Sequence, residues 1–358
     1  MAGPARSGAS RYAFDELVEF AGDLLAAAGL GGAQARAVAE VLAEADLLGH
    51  DTHGLQLLAS YLAELEKGAM TKDGEPRVLA ERASVATWDG ERLPGPWLVR
   101  HAIDWARPRA QMHGAATVVI RRSHHIACLA AYLEPVARAG LMMVLASSDP
   151  TVASVAPFGG TQAVYTPNPI AIGIPTGGDP IMIDISASVT TNGMTARLKN
   201  AGVRGEHAWW LDALGQPTDD PGALFTQPPG TILPLGGLDA GHKGYGLALM
   251  IEALTAGLAG FGRADVVTGW GATVYLQLYD PDAFGGTGAF TWQTDWLAAA
   301  CRASAPRVPE VPVRLPGERG LARKREQLRA GVALHPAILP ALAPWAKKLA
   351  VETPVPMP

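Results

Sequence analysis

Cysteine is nearly absent from this chain of 358 residues, which contains two, Cys128 and Cys301. Two cysteines cannot build a disulfide framework or a cysteine-rich zinc cage. We therefore expect a protein of an ordinary reducing compartment, the cytoplasm.

Charge and long apolar runs are also scarce. Charged residues make up 18% of the chain, the formal net charge is −5, and the 29 Lys and Arg residues are scattered, which does not fit a nucleic-acid-binding surface. The longest apolar runs, such as Leu141–Ala146, are far too short to cross a membrane. Residues 1–11 lack the apolar core of a signal peptide. The sequence thus predicts a soluble protein with no nucleic-acid or membrane partner.

The spacing of apolar residues predicts alternating helices and strands. A helical hairpin is expected over Phe14–Leu48, broken at Gly31-Gly32, and further helices over Trp97–Met112, Cys128–Ala139, Tyr245–Leu258 and Trp292–Arg302. Strands are expected at Ala115–Ile120, Leu141–Leu145, Ile170–Ile174 and Ile181–Ile185. This alternation indicates an α/β or α+β protein. The chain length, at about 150 residues per domain, suggests roughly two domains.

Glycine is abundant, with 41 residues, which raises the question of a Rossmann dinucleotide site. The glycine-rich stretches 260–262 and 285–288 do not combine the G-x-G-x-x-G spacing with a preceding strand and a following helix. A Rossmann fingerprint is therefore not predicted.

Four of the nine histidines fall into two tight groups. His50 and His53 lie in a short segment after a predicted helix, and His124 and His125 follow a predicted strand. Histidine exchanges protons near neutral pH, as carbonyl reduction requires. Histidines that cap helices are the structural alternative. The four imidazoles could also bind zinc, but H-E-x-x-H and a cysteine pair are both missing, and no metal is predicted.

Two other residues are candidates for binding polar ligand groups. Lys243 lies between glycines at a predicted helix start, where an ammonium and backbone N–H groups suit phosphate or carboxylate; a helix-entry lysine without a ligand is the alternative. Asp184 ends a predicted strand and could accept hydrogen bonds from ribose or orient a histidine, or cap the next segment.

Nine short motifs follow one another along nearly the whole chain. They are Ala45–Gly54, Ser123–His125, Ser148–Pro150, Val155–Gly160, Asn168–Ala171, Asp184–Ser188, Gly215–Pro221, His242–Leu247 and Pro316–Glu318. Together they resemble the type 2 malate/L-lactate dehydrogenase family, whose relatives include ureidoglycolate dehydrogenase, sulfolactate dehydrogenase and Δ1-piperideine-2-carboxylate reductase.

The resemblance implies a fold like that of L-sulfolactate dehydrogenase. In this α/β (α+β) fold, a non-Rossmann NAD(P)-binding domain with a mixed, mainly antiparallel sheet packs against a largely helical domain. We expect residues 121–300 to form the sheet domain, and residues 1–120 with 300–358 to form the helical substrate and dimerisation domain. A homodimer with its active site near the subunit interface is also implied.

The resemblance also assigns roles to individual residues. His125 falls on the family's proton donor or acceptor, Thr52 and His53 fall on a Ser-His pair beside the substrate, and Asp184 is expected to orient them. The implied cofactor contacts are Ser148, Asp184, Ile185, Ser186, Lys243, Gly317, Glu318 and Arg319. The expected substrate contacts are His53, Leu57, Tyr61 and His124.

Leu57 is the main departure from the family pattern. The family usually carries there an arginine that clamps the substrate carboxylate. Elsewhere, Met194 replaces a lysine, and His124 replaces Asn or Gly and could supply a hydrogen-bond donor.

The resemblance predicts hydride transfer between NADP(H) or NAD(H) and a small 2-oxo or 2-hydroxy acid. Arg319 favours NADP(H), because a guanidinium suits the 2′-phosphate, although a surface ion pair with Glu318 or Glu326 would also explain it. The apolar Leu57 raises an alternative, NADPH-dependent reduction of a ketimine or cyclic imine. A non-catalytic nucleotide-binding protein is a further alternative.

Overall fold

A computed structural model describes residues 10–357 of the chain. Residues 1–9, which belong to the predicted helical domain and to the segment expected to lack a signal peptide, lie outside the described residues. The α-helices are α1 Phe14–Ala27, α2 Gly32–Leu48, α3 Leu58–Glu66, α4 Gly95–His113, α5 Leu133–Arg138, α6 Asn192–Asn200, α7 Gly237–Glu252, α8 Thr287–Ala303, α9 Glu318–Ala330 and α10 Ile338–Leu349.

The strands form one large sheet and two small ones. They are β1 Arg11–Tyr12, β2 Arg77–Arg82, β3 Val85–Asp89, β4 Ala115–Ser123, β5 Met142–Ser148, β6 Pro169–Ile174, β7 Ile181–Ser186, β8 Trp210–Leu211, β9 Pro217–Thr218, β10 Thr231–Ile232, β11 Ala272–Tyr279 and β12 Val332–Ala333. The large sheet has the order β2-β3-β4-β11-β5-β6-β7. Its β3–β4 pair is parallel and its other pairs are antiparallel.

Both faces of the large sheet are covered, and the alternation of side chains along its strands explains how. Val118 of β4 belongs to the larger core cluster, which joins α1–α4 to one face of the sheet. Its neighbour Val119 belongs to a smaller cluster on the other face, which includes Ala248 and Ile251 of α7. Successive residues of a strand point to opposite faces, so each central strand contributes to both clusters.

The N-terminal helices pack through one continuous apolar stripe. In α1 the buried residues are Leu17, Phe20, Ala21, Leu24 and Leu25, which recur at helical spacing. From the C-terminal segment, α9 packs on α2 and α10 packs on α1 and α3. The ends of the chain therefore build one helical layer, which holds the segment after α2 in place.

The expected boundary at residue 120 falls inside β4. The large sheet thereby takes β2, β3 and most of β4 from one side of that boundary and its other strands from the other side. The two-domain division stays a prediction. Among the described residues, no helix is both long and apolar enough to cross a membrane.

Candidate active site

The end of α2 presents the first histidine group. Gly49 adopts a left-handed conformation with φ of 89°, and the N–H of His50 donates to the carbonyl of Ala45. Glycine is favoured there because a Cβ would be strained. Past this turn, the N–H of Leu55 donates to the buried carboxylate of Asp46 in α2 at 2.7 Å. This hydrogen bond fixes the 50–57 segment against α2.

The end of β4 presents the second histidine group. The N–H of His124 donates to the carbonyl of Leu93 at 3.1 Å, just before α4 begins. At Gly95, the first residue of α4, a Cβ would lie 2.4 Å from the carbonyl oxygens of both His124 and His125. The absence of a side chain at Gly95 therefore lets α4 approach the histidine pair closely.

Five rings from four segments form one cluster. His53 and His125 are stacked with centroids 6.0 Å apart, and His125 stacks on Trp270 at 4.7 Å. Tyr61 and His124 meet edge to face at 5.6 Å. The structure thus brings together His53, His124, His125 and Tyr61, all predicted from the sequence, with Thr52, whose Oγ1 lies 2.9 Å from Nδ1 of His53.

The hydroxyl of Tyr61 and the N–H of Ala127 both contact Nδ1 of His125. The Oη of Tyr61 lies 2.9 Å from Nδ1 of His125 and 3.1 Å from the carbonyl oxygen of the same residue. When Tyr61 donates to the carbonyl, its oxygen can accept a hydrogen bond from Nδ1–H, and Nε2 is then free to act as a base. When Tyr61 donates to Nδ1, as the N–H of Ala127 does at 3.3 Å, the ring proton sits on Nε2. The hydroxyl of Tyr61 is compatible with either tautomer of His125, and the N–H of Ala127 favours the one that carries its proton on Nε2.

Burial keeps the histidines of the cluster neutral. Burial, and then the charges of His50 and Arg197, lower the pKa of His53 from 6.5 to about 4. The pKa of His125 falls well below its usual value, because the ring is buried and lies near His53 and His124. Burial lowers the pKa of His124 to about 4, although Glu64 at 3.7 Å, longer than a hydrogen bond, partly opposes it.

Asp184 lies in a neighbouring cluster rather than in contact with these rings. Its Oδ2 accepts from the N–H of Ala130 at 2.9 Å and from the thiol of Cys128 at 3.8 Å. Burial raises the pKa of Asp184, which His50 opposes. Ligand atoms of His50, Cys128 and Asp184 lie within 4.8 Å of one another, and two of these residues, Cys128 and Asp184, already form a thiol–carboxylate hydrogen bond.

Three of the expected cofactor contacts lie at one end of the strands β5, β6 and β7. Ser148 ends β5, where its buried Oγ donates to Glu252 and accepts from Arg263. Ser186 ends β7 and donates to the carbonyl of Ser188. Gly244 packs on the carbonyl of Ala187, where a Cβ would lie 2.8 Å away, and this brings α7 and the exposed Lys243 to the end of β7.

The remaining cofactor candidates lie along β7 and at its other end. Asp184 and the exposed Ile185 belong to β7. At the start of β7, the N–H of Met182 donates to the carbonyl of Pro316 and so holds the segment before Gly317. Glu318 accepts from the N–H of Leu315 at 2.9 Å and pairs with Arg302, which orders the turn around Gly317.

A cavity of about 420 Å³ adjoins the same turn. Its lining includes Arg314, Gly317 and Arg319. The strand β7 has six residues and so spans roughly 17–20 Å. The guanidinium groups of Arg314 and Arg319, near its start, suit phosphate. The residues present therefore fit an extended dinucleotide along β7.

Three residues near these sites escape prediction from the sequence. Trp270 reaches the histidines from the turn before β11, Cys128 contacts Asp184, and Arg197 of α6 binds the 50–57 segment. The fold alone brings Trp270 close to His125, Arg197 close to the first histidine group, and Cys128 close to Asp184. Leu57, predicted to contact substrate, is half-buried and packs against the larger core cluster.

Comparison with known proteins gives one consistent result. The sequence pattern of the malate/L-lactate dehydrogenase family matches residues 12–343. The chain is 31% identical over 350 residues to the L-lactate dehydrogenase of Cupriavidus necator. The matched region covers 94% of this chain and 97% of that protein. It is 37% identical over 237 residues to the (2R)-3-sulfolactate dehydrogenase (NADP(+)) of Chromohalobacter salexigens, with 66% and 68% covered.

Solved structures extend this result to the fold. The Δ1-piperideine-2-carboxylate reductase from Pseudomonas syringae superposes with a TM-score of 0.83 at 26% identity, over 94% of this chain and 99% of that one. The expected architecture, a mixed and mainly antiparallel sheet packed with helices, is confirmed.

Proposed function

The chain belongs to the malate/L-lactate dehydrogenase family of NAD(P)-dependent oxidoreductases, and from that membership we propose that it interconverts small 2-oxo and 2-hydroxy acids. The observation that carries the proposal is the stacked pair His53 and His125, both held neutral by burial. A neutral imidazole accepts the proton of a hydroxyl group, and its conjugate acid returns it to a carbonyl oxygen.

Each residue of the cluster has a distinct part in this reaction. The bound nicotinamide supplies the hydride chemistry. His125 exchanges a proton with the substrate oxygen, and Tyr61 holds its ring through Nδ1. Thr52 orients His53 through its hydrogen bond, and Trp270 covers His125 and keeps water from it. Asp184, through Ala130, anchors the segment that follows His125.

An imine substrate is the second candidate, and one observation favours it. Leu57 presents an apolar side chain where the family pattern has an arginine, and an apolar wall suits a bulkier or less acidic substrate. The superposition with Δ1-piperideine-2-carboxylate reductase is compatible with this candidate.

The nucleotide preference and the assembly complete the proposal. Arg314 and Arg319, beside the cavity at the start of β7, support NADP(H) over NAD(H), and the sulfolactate dehydrogenase relative is named for NADP(+). A cytoplasmic homodimer with the active site near the subunit interface stays part of the proposal.

Absorbance assays with NADPH and NADH distinguish the two substrates. We expect oxidation of NADPH with pyruvate or oxaloacetate, and slower or no oxidation with Δ1-piperideine-2-carboxylate. Turnover of the imine alone would favour the second candidate. Thermal-shift titration addresses the non-catalytic alternative, because a nucleotide that binds the native state raises its apparent stability; no shift with either nucleotide would contradict the oxidoreductase.

A further inference from the structure

A carboxylate substrate needs a permanent positive charge in this cleft. His53 and His125 cannot supply it at neutral pH, because burial keeps both rings uncharged, and Leu57 carries no charge. A charged carboxylate that leaves water without a partner pays a large desolvation cost. A cation on a neighbouring element of this chain would supply the positive charge.

Among residues 10–357, the positive charges of two guanidinium groups lower the pKa values of histidines in this cluster. One is Arg92, which acts on His124, and the other is Arg197, which acts on His53. Arg92 is committed to the fold, because its Nε, Nη1 and Nη2 donate to the backbone carbonyls of Ala69, Thr268 and Trp270.

Arg197 lies on the face of α6 that meets the catalytic segment. At Gly193, one helical turn earlier, a Cβ would lie 3.9 Å from Cβ of Thr52 and 4.0 Å from Cε1 of His53. Residues four apart share a helix face. The guanidinium of Arg197 accordingly reaches Asp51 at 2.7 Å through Nη1 and Gln56 at 2.6 Å through Nη2.

Two side-chain acceptors orient Arg197 without using all its donors. A guanidinium has five N–H groups in a fixed fork, and the structure records two hydrogen bonds for this one. The side chain is 23% exposed, so solvent and ligands can reach it. At the start of the same helix, the buried Oδ1 of Asn192 has no hydrogen-bond partner among the described residues, which is typical of a site that a ligand completes.

We propose that Arg197 binds the substrate carboxylate in this chain, in place of the family arginine that Leu57 has replaced. The assignment rests on the proposed 2-oxo acid reaction. Asp51 and Gln56 position the guanidinium beside Thr52 and His53, and its remaining N–H groups donate to the carboxylate. Met194, at the family's lysine position on the same helix, adds no competing cation.

Oxamate, an unreactive analogue of pyruvate, tests the assignment by binding alone. Calorimetry would measure its dissociation constant on the enzyme–NADPH complex for the wild type, Arg197→Gln and Arg197→Lys. Arg204→Gln is the matched control, because Arg204 lies just beyond α6 and pairs with Asp219 on the surface. Loss of charge-assisted hydrogen bonds should weaken oxamate binding by roughly 10–100-fold in Arg197→Gln. Arg197→Lys should recover part of this loss, and Arg204→Gln should match the wild type.

The other possible results contradict either the role of Arg197 or the proposed reaction. Unchanged oxamate affinity in Arg197→Gln would overturn the role of Arg197 while leaving the proposed reaction intact. An equal loss of NADPH affinity in Arg197→Gln would show a structural role and also overturn the assignment. A wild-type complex that neither binds oxamate nor reduces any 2-oxo acid would contradict the proposed function, and the assignment with it.

Discussion

The ring of His125 is enclosed by groups that the chain supplies from distant segments. Tyr61 contacts its Nδ1, Trp270 stacks on one face, and His53 lies 6.0 Å away. The sequence predicts the histidines and Thr52 because their motifs are local, and Tyr61 as a substrate contact that the family resemblance implies. It does not predict Trp270 or Arg197, because their contacts with the site depend on tertiary packing rather than on any pattern around them.

Replacing the histidines should impair chemistry without impairing binding. His125→Ala and His53→Ala should each lower kcat by roughly 10²–10⁴-fold, because general acid–base catalysis contributes about that much. Steady-state kinetics would measure the loss, with His207→Ala at an exposed loop position as the control. If both variants keep wild-type kcat and bind NADPH normally, the catalytic assignment is wrong.

The pKa of His53 predicts an unusual acid limit for hydroxy-acid oxidation. The reaction needs neutral imidazoles, and burial lowers the pKa of His125 well below its usual value and that of His53 to about 4. The value of kcat/KM should therefore stay level from pH 8 to about pH 5 and fall only as the pH approaches 4. Short pH-jump assays, with recovery of activity at pH 7 as the control, would show this. A half-maximal point near pH 6.5 would instead indicate a solvated histidine.

The same pKa shift has a consequence for stability. Between pH 6.5 and 4 the unfolded chain binds a proton at His53 that the folded chain does not, so stability is lost as the pH falls through this window. Asp46 acts in the opposite direction, because burial raises its pKa from 3.8 to about 7. The folded state binds more protons at Asp46 between those values, so this contribution is lost as the pH rises through 7.

At the scale of elements, local periodicity explains which parts of the fold were predicted. The helical hairpin over 14–48 is observed as α1 and α2, since its apolar stripe is continuous. The apolar spacing does not predict the central strand β11, nor does it predict β2, β3 and α6. The place of β11 between β4 and β5 is set by long-range pairing, β2 is largely exposed, and α6 has a single buried residue, Thr195.

The junction of α4 with the end of β4 should be intolerant of any side chain. Gly95→Ala would place a Cβ 2.4 Å from two carbonyl oxygens, and should destabilise the protein by about 1–3 kcal/mol while displacing His125 and lowering kcat. Gly288→Ala in α8 is the matched control, since its Cβ would have no heavy atom within 4 Å, and alanine there should be neutral or stabilise by up to about 1 kcal/mol. Urea unfolding would compare them. Equal stabilities for both variants would contradict the close packing at Gly95.

At the scale of the whole molecule, a seven-stranded sheet holds two kinds of site side by side. The helical layer formed by both ends of the chain supplies Thr52, His53 and Tyr61, and the strands β5–β7 carry several of the positions proposed to contact the nucleotide. The motifs predicted the family and the kind of fold. They did not reveal that one sheet spans the predicted domain boundary, because the pairing of β4 with β11 joins residues up to 164 positions apart, as for Ala115 and Tyr279.

Transfer of deuterium from the nucleotide to the product tests the central claim most directly. Purified protein would be given NADPH deuterated at the transferable C4 position together with pyruvate or oxaloacetate, and the product would be analysed by mass spectrometry and NMR. The proposed reaction predicts one deuterium at C2 of the resulting 2-hydroxy acid and none in solvent. Oxidation of the nucleotide without deuterium at C2, or no 2-hydroxy acid with either 2-oxo acid, would contradict it.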